Sequence, residues 1–198
     1  MAVLSEWEIQ TEMIRMDNLP LSLLFGRIED LKRDLITTQK AKNEILKYFD
    51  AEAICHRELI ENKEIKERYE KLWNPIVDWF NKTFETKLKI FESNELTGDP
   101  NQEIARKAFE KRLNEFNSYE IGLLYTSLKI TDSIVISIAH LKGFLTEEET
   151  IQAACADIFI SMENDGMVYG EHDVLLSQKR MKLSVVGLVK VLIKEGIE

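Results

Sequence analysis

Side chains able to do chemistry are few in this chain, and they are scattered. Glu171, His172 and Asp173 form the one tight cluster of metal-ligating or proton-transferring types. Consecutive residues of a helix point about 100° apart, so three in a row converge poorly on a single ion. Acids there also suit the positive end of a helix dipole. The cluster therefore reads as a solvated helix start, with a small metal-dependent hydrolase built on His172 as the rival reading. His56 and His140 stand alone and read as structural or exposed. Trp7, Trp73 and Trp79 could line a cofactor pocket, but aromatics at helical spacing read as core. The chain shows no Gly-rich phosphate loop, nucleophile elbow, paired histidines on one helix face or cysteine pair. Cys55 and Cys155 lack metal-ligand spacing and read as reduced and buried. The expectation is a protein without catalytic residues, metal or cofactor.

Composition narrows the partners. The chain has 198 residues, enough for one good-sized domain or a domain plus part of another. Its 35 acidic and 26 basic residues give a net charge of −9, which argues against nucleic acid and against an anionic membrane surface. No apolar run has the length of a membrane span, and neither a signal peptide nor an Arg-rich transit peptide opens the chain. A bacterial cytoplasmic location is expected, or the mitochondrial matrix if a transit peptide lies upstream.

The elements that must position any site are helices. The pattern centres on a hairpin, with helices over about 117–141 and 147–163 joined by Lys142-Gly143-Phe144-Leu145-Thr146. Gly143 suits the left-handed position after a helix, and Thr146 with Glu149 forms a capping box. So short a joint makes the helices antiparallel neighbours. The first carries Ile121, Leu124, Leu128, Ile134, Val135, Ile138 and Leu141, and is apolar almost all round from Ser133. The second has a stripe of Ile151, Ala154, Cys155, Ile158 and Met162, which should pack on the first. Asp157 lies roughly 100° from the centre of that stripe, at its rim.

Upstream, the spacing predicts a helix over 1–16 that begins without a cap, as if coding sequence preceded it. A break follows at Asp17-Asn18-Leu19-Pro20, then helices through Leu23 to Leu31 and from about Thr38 to Phe49. Residues 53–57 read as a short extended segment. An amphipathic helix runs from about Glu58 through Ile65, Tyr69 and Leu72, and Asn74-Pro75 opens a new one with Ile76, Trp79 and Phe80. Residues 94–101 form a loop, followed by a helix with Ile104, Phe109 and Leu113. Asn164-Asp165-Gly166 is a turn, and a last helix starts near Glu171, apolar from Leu183 to Ile193.

Several of these stretches, taken in series, resemble the assembly chaperones of the F-type ATP synthase catalytic head, the family that binds the unassembled α subunit. The resemblance rests on Ala2-Val3-Leu4-Ser5-Glu6-Trp7, on Ile54-Cys55-His56-Arg57 and on Trp73-Asn74-Pro75-Ile76-Val77-Asp78-Trp79, which lead into a similar apolar hairpin. It marks Trp7, Cys55, Arg57, Trp73, Pro75 and Trp79 as structural motif residues. It implies a functional acid on the second hairpin helix at Asp157, and a partner-binding pair at Asp165-Gly166, where the family has Trp-Gly. His56 stands for Tyr, Asn74 for Asp and Asp165 for Trp, and the family's upstream β-rich segment is not seen. These departures bear on the partner surface more than on the fold. The expected fold is mainly α, an orthogonal helical bundle (58–198) preceded by a remnant of an α+β domain (1–57). The expected function is a chaperone for the free α subunit, with a helical protein-binding regulator as a further alternative.

Overall fold

Local sequence signals decide where most of the helices begin. In a computed structural model, residues 2–57, 62–88, 90–91 and 100–196 are described. The chain forms α1 (Ala2–Glu8), α2 (Pro20–Arg33), α3 (Leu35–Asp50), α4 (Lys63–Phe84), α5 (Pro100–Glu115), α6 (Ser118–Thr131), α7 (Ile134–Leu141), α8 (Glu147–Ala154), α9 (Ala156–Asp165) and α10 (His172–Lys194). Short 3-10 turns occupy Met16–Asn18 and Ala53–Cys55. The fold is mainly α, as expected. Among the described residues, β structure is confined to one parallel bridge between His56 and Phe91.

The first helix is shorter than the spacing suggests. It ends at Glu8 because Gln10 closes its end: Gln10 Nε2 donates to Glu6 O at 3.1 Å, and Gln10 Oε1 accepts from Arg15 N at 2.8 Å. Glu6 then caps α2, its carboxylate accepting from Leu21 N at 2.6 Å and Ser22 N at 2.8 Å. The α3 helix starts earlier than Thr38, because Asp34 accepts from Ile36 N and Thr37 N as its N-cap. Leu35 and Ile36, in its first turn, are exposed, which hides the start from any hydrophobic pattern.

Residues 53–57 are not an extended segment. Ala53–Cys55 is a 3-10 turn; His56 bridges Phe91, with Phe91 N donating to Cys55 O at 2.7 Å and Arg57 N donating to Phe91 O at 3.0 Å, and the His56 ring stacks on that of Phe91 at 4.9 Å. The helix start expected at Glu58 lies outside the described residues, as does most of the loop expected at 94–101; Asn62 caps α4 from Lys63, and Pro100 already begins α5. In α5 the buried positions are Ala105, Phe109 and Leu113, while Ile104 faces solvent. Asn74 and Pro75 do not open a new helix. They lie inside the unbroken α4, where the Asn74 side chain accepts from buried Arg57 instead of capping.

The hairpin is present, but both of its arms are jointed. Gly143 has φ 79°, and the Thr146/Glu149 capping box has both of its bonds. The first arm breaks into α6 and α7 at Asp132, which is left-handed at φ 55°. Ser133 caps α7, and buried Glu52 supplies the rest of the cap. Its carboxylate accepts from the Ser133 hydroxyl and from Ile134 N at 2.9 Å and Val135 N at 3.3 Å. The second arm breaks at Cys155 into α8 and α9.

The two arms lie together, with α8 against α6 and α7. Ile151 and Cys155 share a core with Leu123 and Ile130 of α6 and with Leu183, Val186 and Val189 of α10. A second core joins α7 to Phe49, Ile76, Phe80 and Phe109. It draws residues from both sides of position 57. Burial of each such large side chain contributes roughly 1.5–3 kcal/mol before ordering entropy is subtracted.

The α2 and α6 helices touch at Gly122, where an added Cβ would come within 2.6 Å of Ile28 Cγ1. Gly26, on α2, has open space around it. G122A should therefore lower stability by about 1–3 kcal/mol through overpacking, whereas G26A should raise it by about 0.5–1 kcal/mol through helix propensity. Urea unfolding of both variants checks the pair; stabilisation by both would mean that the α2–α6 contact is loose.

Burial pushes the Glu52 carboxyl up to about 7, against the pull of its hydrogen-bond donors. An unfolded glutamate ionises near pH 4.3, so between that pH and about 7 the folded state holds the extra proton. Stability from this group is thus full in acid and falls as pH rises across that window, by on the order of 3 kcal/mol. Thermal melts from pH 4.5 to 7.5 should show this slope in the wild type and a shallower one in E52Q. Parallel curves would mean that the carboxyl stays ionised.

Candidate functional site

Two groups of candidate residues separate in space, and they do different things. The motif residues form an internal joint. Arg57, buried, donates from Nε to Ile54 O at 3.2 Å and from Nη1 to Asn74, and lies 5.7 Å from the centre of the Trp73 ring. Trp73 Nε1 donates to Ala153 O in α8 at 2.9 Å. Trp79 stacks on Phe144 of the hairpin joint at 5.0 Å. Cys55 is fully buried beside them, its thiol pushed up by burial first and then by the Glu52 charge. Together these contacts clamp α4 on to the hairpin.

Trp7 does not belong to the core as expected. It is 47% exposed, and its Nε1 donates to Ser22 Oγ at 2.9 Å, supporting the cap that Glu6 makes on α2. Both cysteines are buried and unbridged.

The acids on the second arm face outward. On α9, Ala156 and Ile160 pack toward Tyr69 of α4, while Ile158 and Met162 pack against the core shared by α2, α6, α8 and α10. That leaves Asp157, Ser161 and Asp165, at spacings of four, on the outer face. Asp157 and Asp165 are exposed, and Ser161 Oγ lies 3.4 Å from Asp165 Oδ2. Asp157 is close enough to Tyr69 to help hold its phenol up, although burial is the larger cause. Between α4 and α9 runs a groove of about 470 Å3, with Tyr69, Leu72, Phe159 and Ile160 in its walls. Arg68 and Glu163, which also line it, pair at 2.6 Å.

The residues 164–166 expected as a turn divide: Asn164 and Asp165 finish α9, and Gly166 ends it at φ 88°. Beyond it, Met167, Val168 and Tyr169 are exposed, Tyr169 by 84%. The Glu171-His172-Asp173 cluster holds this apolar loop. His172 Nδ1 accepts from Val168 N at 3.2 Å, and Asp173 Oδ1 accepts from Gly170 N at 2.6 Å. Among the described residues no group of three His, Cys, Asp or Glu side chains could hold a metal ion. Sequence reading missed the loop, although Met-Val-Tyr between two glycines is itself a signal. His140 is buried in α7, its imidazole held below its ordinary value by burial and then by Lys190. Among the described residues no helix is long and apolar enough to cross a membrane.

Comparison with known proteins agrees with this architecture. Residues 1–81 match the family described as ATP12 chaperone protein. The mitochondrial protein Atp12 of Schizosaccharomyces pombe is 24% identical over 196 residues, a match that takes in 90% of this chain. The chain is similar to the ATP12 chaperone family over residues 1–81. It spans 63% of the length of that fungal relative. The crystal structure of Atp12 from Paracoccus denitrificans is similar in fold, with a TM-score of 0.78 at 13% identity, covering 96% of this chain and 79% of that one. A protein of Agrobacterium tumefaciens matches with a TM-score of 0.76 at 22% identity, over 92% and 68% of the two chains.

Because Asp173 anchors the apolar loop from a helix start, D173A should free the loop and leave the bundle intact. The expected result is faster hydrogen exchange at Gly170 with a melting temperature within a few degrees of wild type. Unchanged exchange would show that the loop is held by other contacts.

Proposed function

We propose that this chain is an assembly chaperone that binds the free α subunit of the F-type ATP synthase catalytic head. In this reading it covers the surface that the α subunit later gives to the β subunit. The observation that carries it is the match of residues 1–81 to the ATP12 family. An isolated subunit that exposes an obligate interface aggregates, and covering it transiently requires differential binding alone. No bond-making step is needed, so the chain acts without catalytic residues, metal or cofactor.

The partner-binding surface in this reading is the outer face of α9 with the loop that follows. Asp157 and Asp165 offer charge, Gly166 turns the chain, and Met167, Val168 and Tyr169 offer exposed apolar area. An acidic rim beside an apolar patch suits a client surface that is apolar with basic residues at its edge. The motif residues Trp7, Cys55, Arg57, Trp73, Pro75 and Trp79 serve the fold behind that surface. The site of action is where the α subunit is found before assembly, the cytoplasm of a bacterium or the mitochondrial matrix.

Tagged protein purified gently from its own cells should recover the α subunit. D157K should change stability by less than about 0.5 kcal/mol, because the side chain is exposed, yet should weaken α-subunit capture. Recovery of no ATP synthase subunit by the wild type would sink the proposal. Equal capture by a well-folded D157K would remove Asp157 from the surface.

A further inference from the structure

Three lysines of this acidic chain meet at one recess. Where the start of α6 meets the ends of α7 and α10 lies a recess of about 240 Å3, walled by Phe116, Leu123, Leu141 and Ile193. Lys142, Lys190 and Lys194 also line it, and among the described residues of its lining Glu120 is the one acid. Glu120 is partly committed elsewhere. Its Oε2 accepts from Asn117 N at 3.0 Å in the capping box of α6, and its Oε1 is 4.0 Å from Lys142 Nζ.

Lys190 Nζ donates to His140 O at 3.2 Å. Its ammonium is held below the ordinary lysine value, by burial first and then by the charges of Lys194 and Lys142. The negative ends of α7 and α10 offset part of this repulsion. Three like charges around apolar walls, in a protein of net charge −9, still leave a local positive excess that an acidic partner would neutralise.

We propose that this recess is a second docking point, for a segment of the client α subunit that carries carboxylates beside an aliphatic or aromatic side chain. The carboxylates lie against Lys142, Lys190 and Lys194, and the apolar side chain enters the recess. Charge complementarity selects this occupant. The inference rests on the chaperone reading above and adds a grip opposite in sign to the acidic face of α9.

The test measures binding of the full chain to purified free α subunit at about 0.05 M and about 0.3 M NaCl. K142E/K194E reverses two exposed lysines and leaves Lys190 with its hydrogen bond. It should bind about tenfold more weakly at the lower salt, with a smaller salt dependence than wild type. K142R/K194R, which keeps the charges, should bind as wild type. K82E/K87E makes the same change in net charge on other exposed lysines and should bind within about twofold of wild type. Circular dichroism melts verify the fold of each variant; if the reversal does not fold, K142Q/K194Q replaces it, with a smaller loss expected. Wild-type-like binding by the reversed or neutralised variant overturns the proposal, as does an equal loss in K82E/K87E. A wild type that does not bind the α subunit removes the chaperone reading and this docking point together, a result distinct from a wild type that binds and a lysine variant that binds equally well.

Discussion

A carboxylate with no access to water organises the centre of this protein. Glu52 is fully buried and reaches 81 residues along the chain to cap α7. The first N–H groups of any helix lack intrahelical partners, and inside a core no water can serve them. Ser133 and Glu52 supply those partners, and this permits a helix that is buried from Ile134 to His140 to begin in the interior. Thr131 extends the network: its Oγ1 lies 2.7 Å from Ser137 Oγ and donates to Ser133 O at 3.0 Å. Removal of an acceptor from such a buried network leaves several donors stranded, each at a cost of about 1–3 kcal/mol. The N-terminal helices are thereby tied to the hairpin by polar bonds as well as by packing.

The remaining architecture follows from where α7 starts. Once α6 and α7 are jointed, α6 can lie against α2 and α10 while α7 faces α3 and α4. The second arm is jointed likewise, so α8 fills the gap beside α6 and α7, and α9 turns to pack between α4 and the α10 side of the bundle. That turn directs Asp157 and Asp165 outward. Arg57, Trp73 and Trp79 hold α4 in register behind it. Chemistry-capable residues have become structural braces: Glu52 and Glu6 cap helices, and His172 and Asp173 fix a loop. Among the exposed features are an apolar loop at Met167 to Tyr169, acidic residues along α9 and, apart from both, three lysines over one recess.

Much of this was legible in the chain, and the successes share one feature. Gly143 and the Thr146/Glu149 box act within one or two turns, so their partners can be read from neighbouring letters. Asp34 is an equally local cap, but the exposed Leu35 and Ile36 after it break the apolar pattern that would have drawn attention to it. Pro75 shows the opposite error. Asn-Pro is a common helix opening, yet here Arg57 takes the Asn74 oxygen and packing on either side keeps α4 continuous. Trp7 has the composition of a core residue, but its indole serves a cap near the surface.

By itself the sequence determined that this protein is mainly helical, that a hairpin lies at its centre, and that no familiar catalytic pattern is present. Periodicity and capping are set by residues three or four apart, and the letters state them directly. Tertiary structure alone decided that both hairpin arms are jointed, that Glu52 begins α7, that Asp157 and Asp165 share an outer face beside an apolar loop, and that three lysines meet over one recess. Each of those outcomes joins residues tens of positions apart. Such contacts form only when competing demands for buried donors and apolar area are met at once, and a linear reading has no access to that balance.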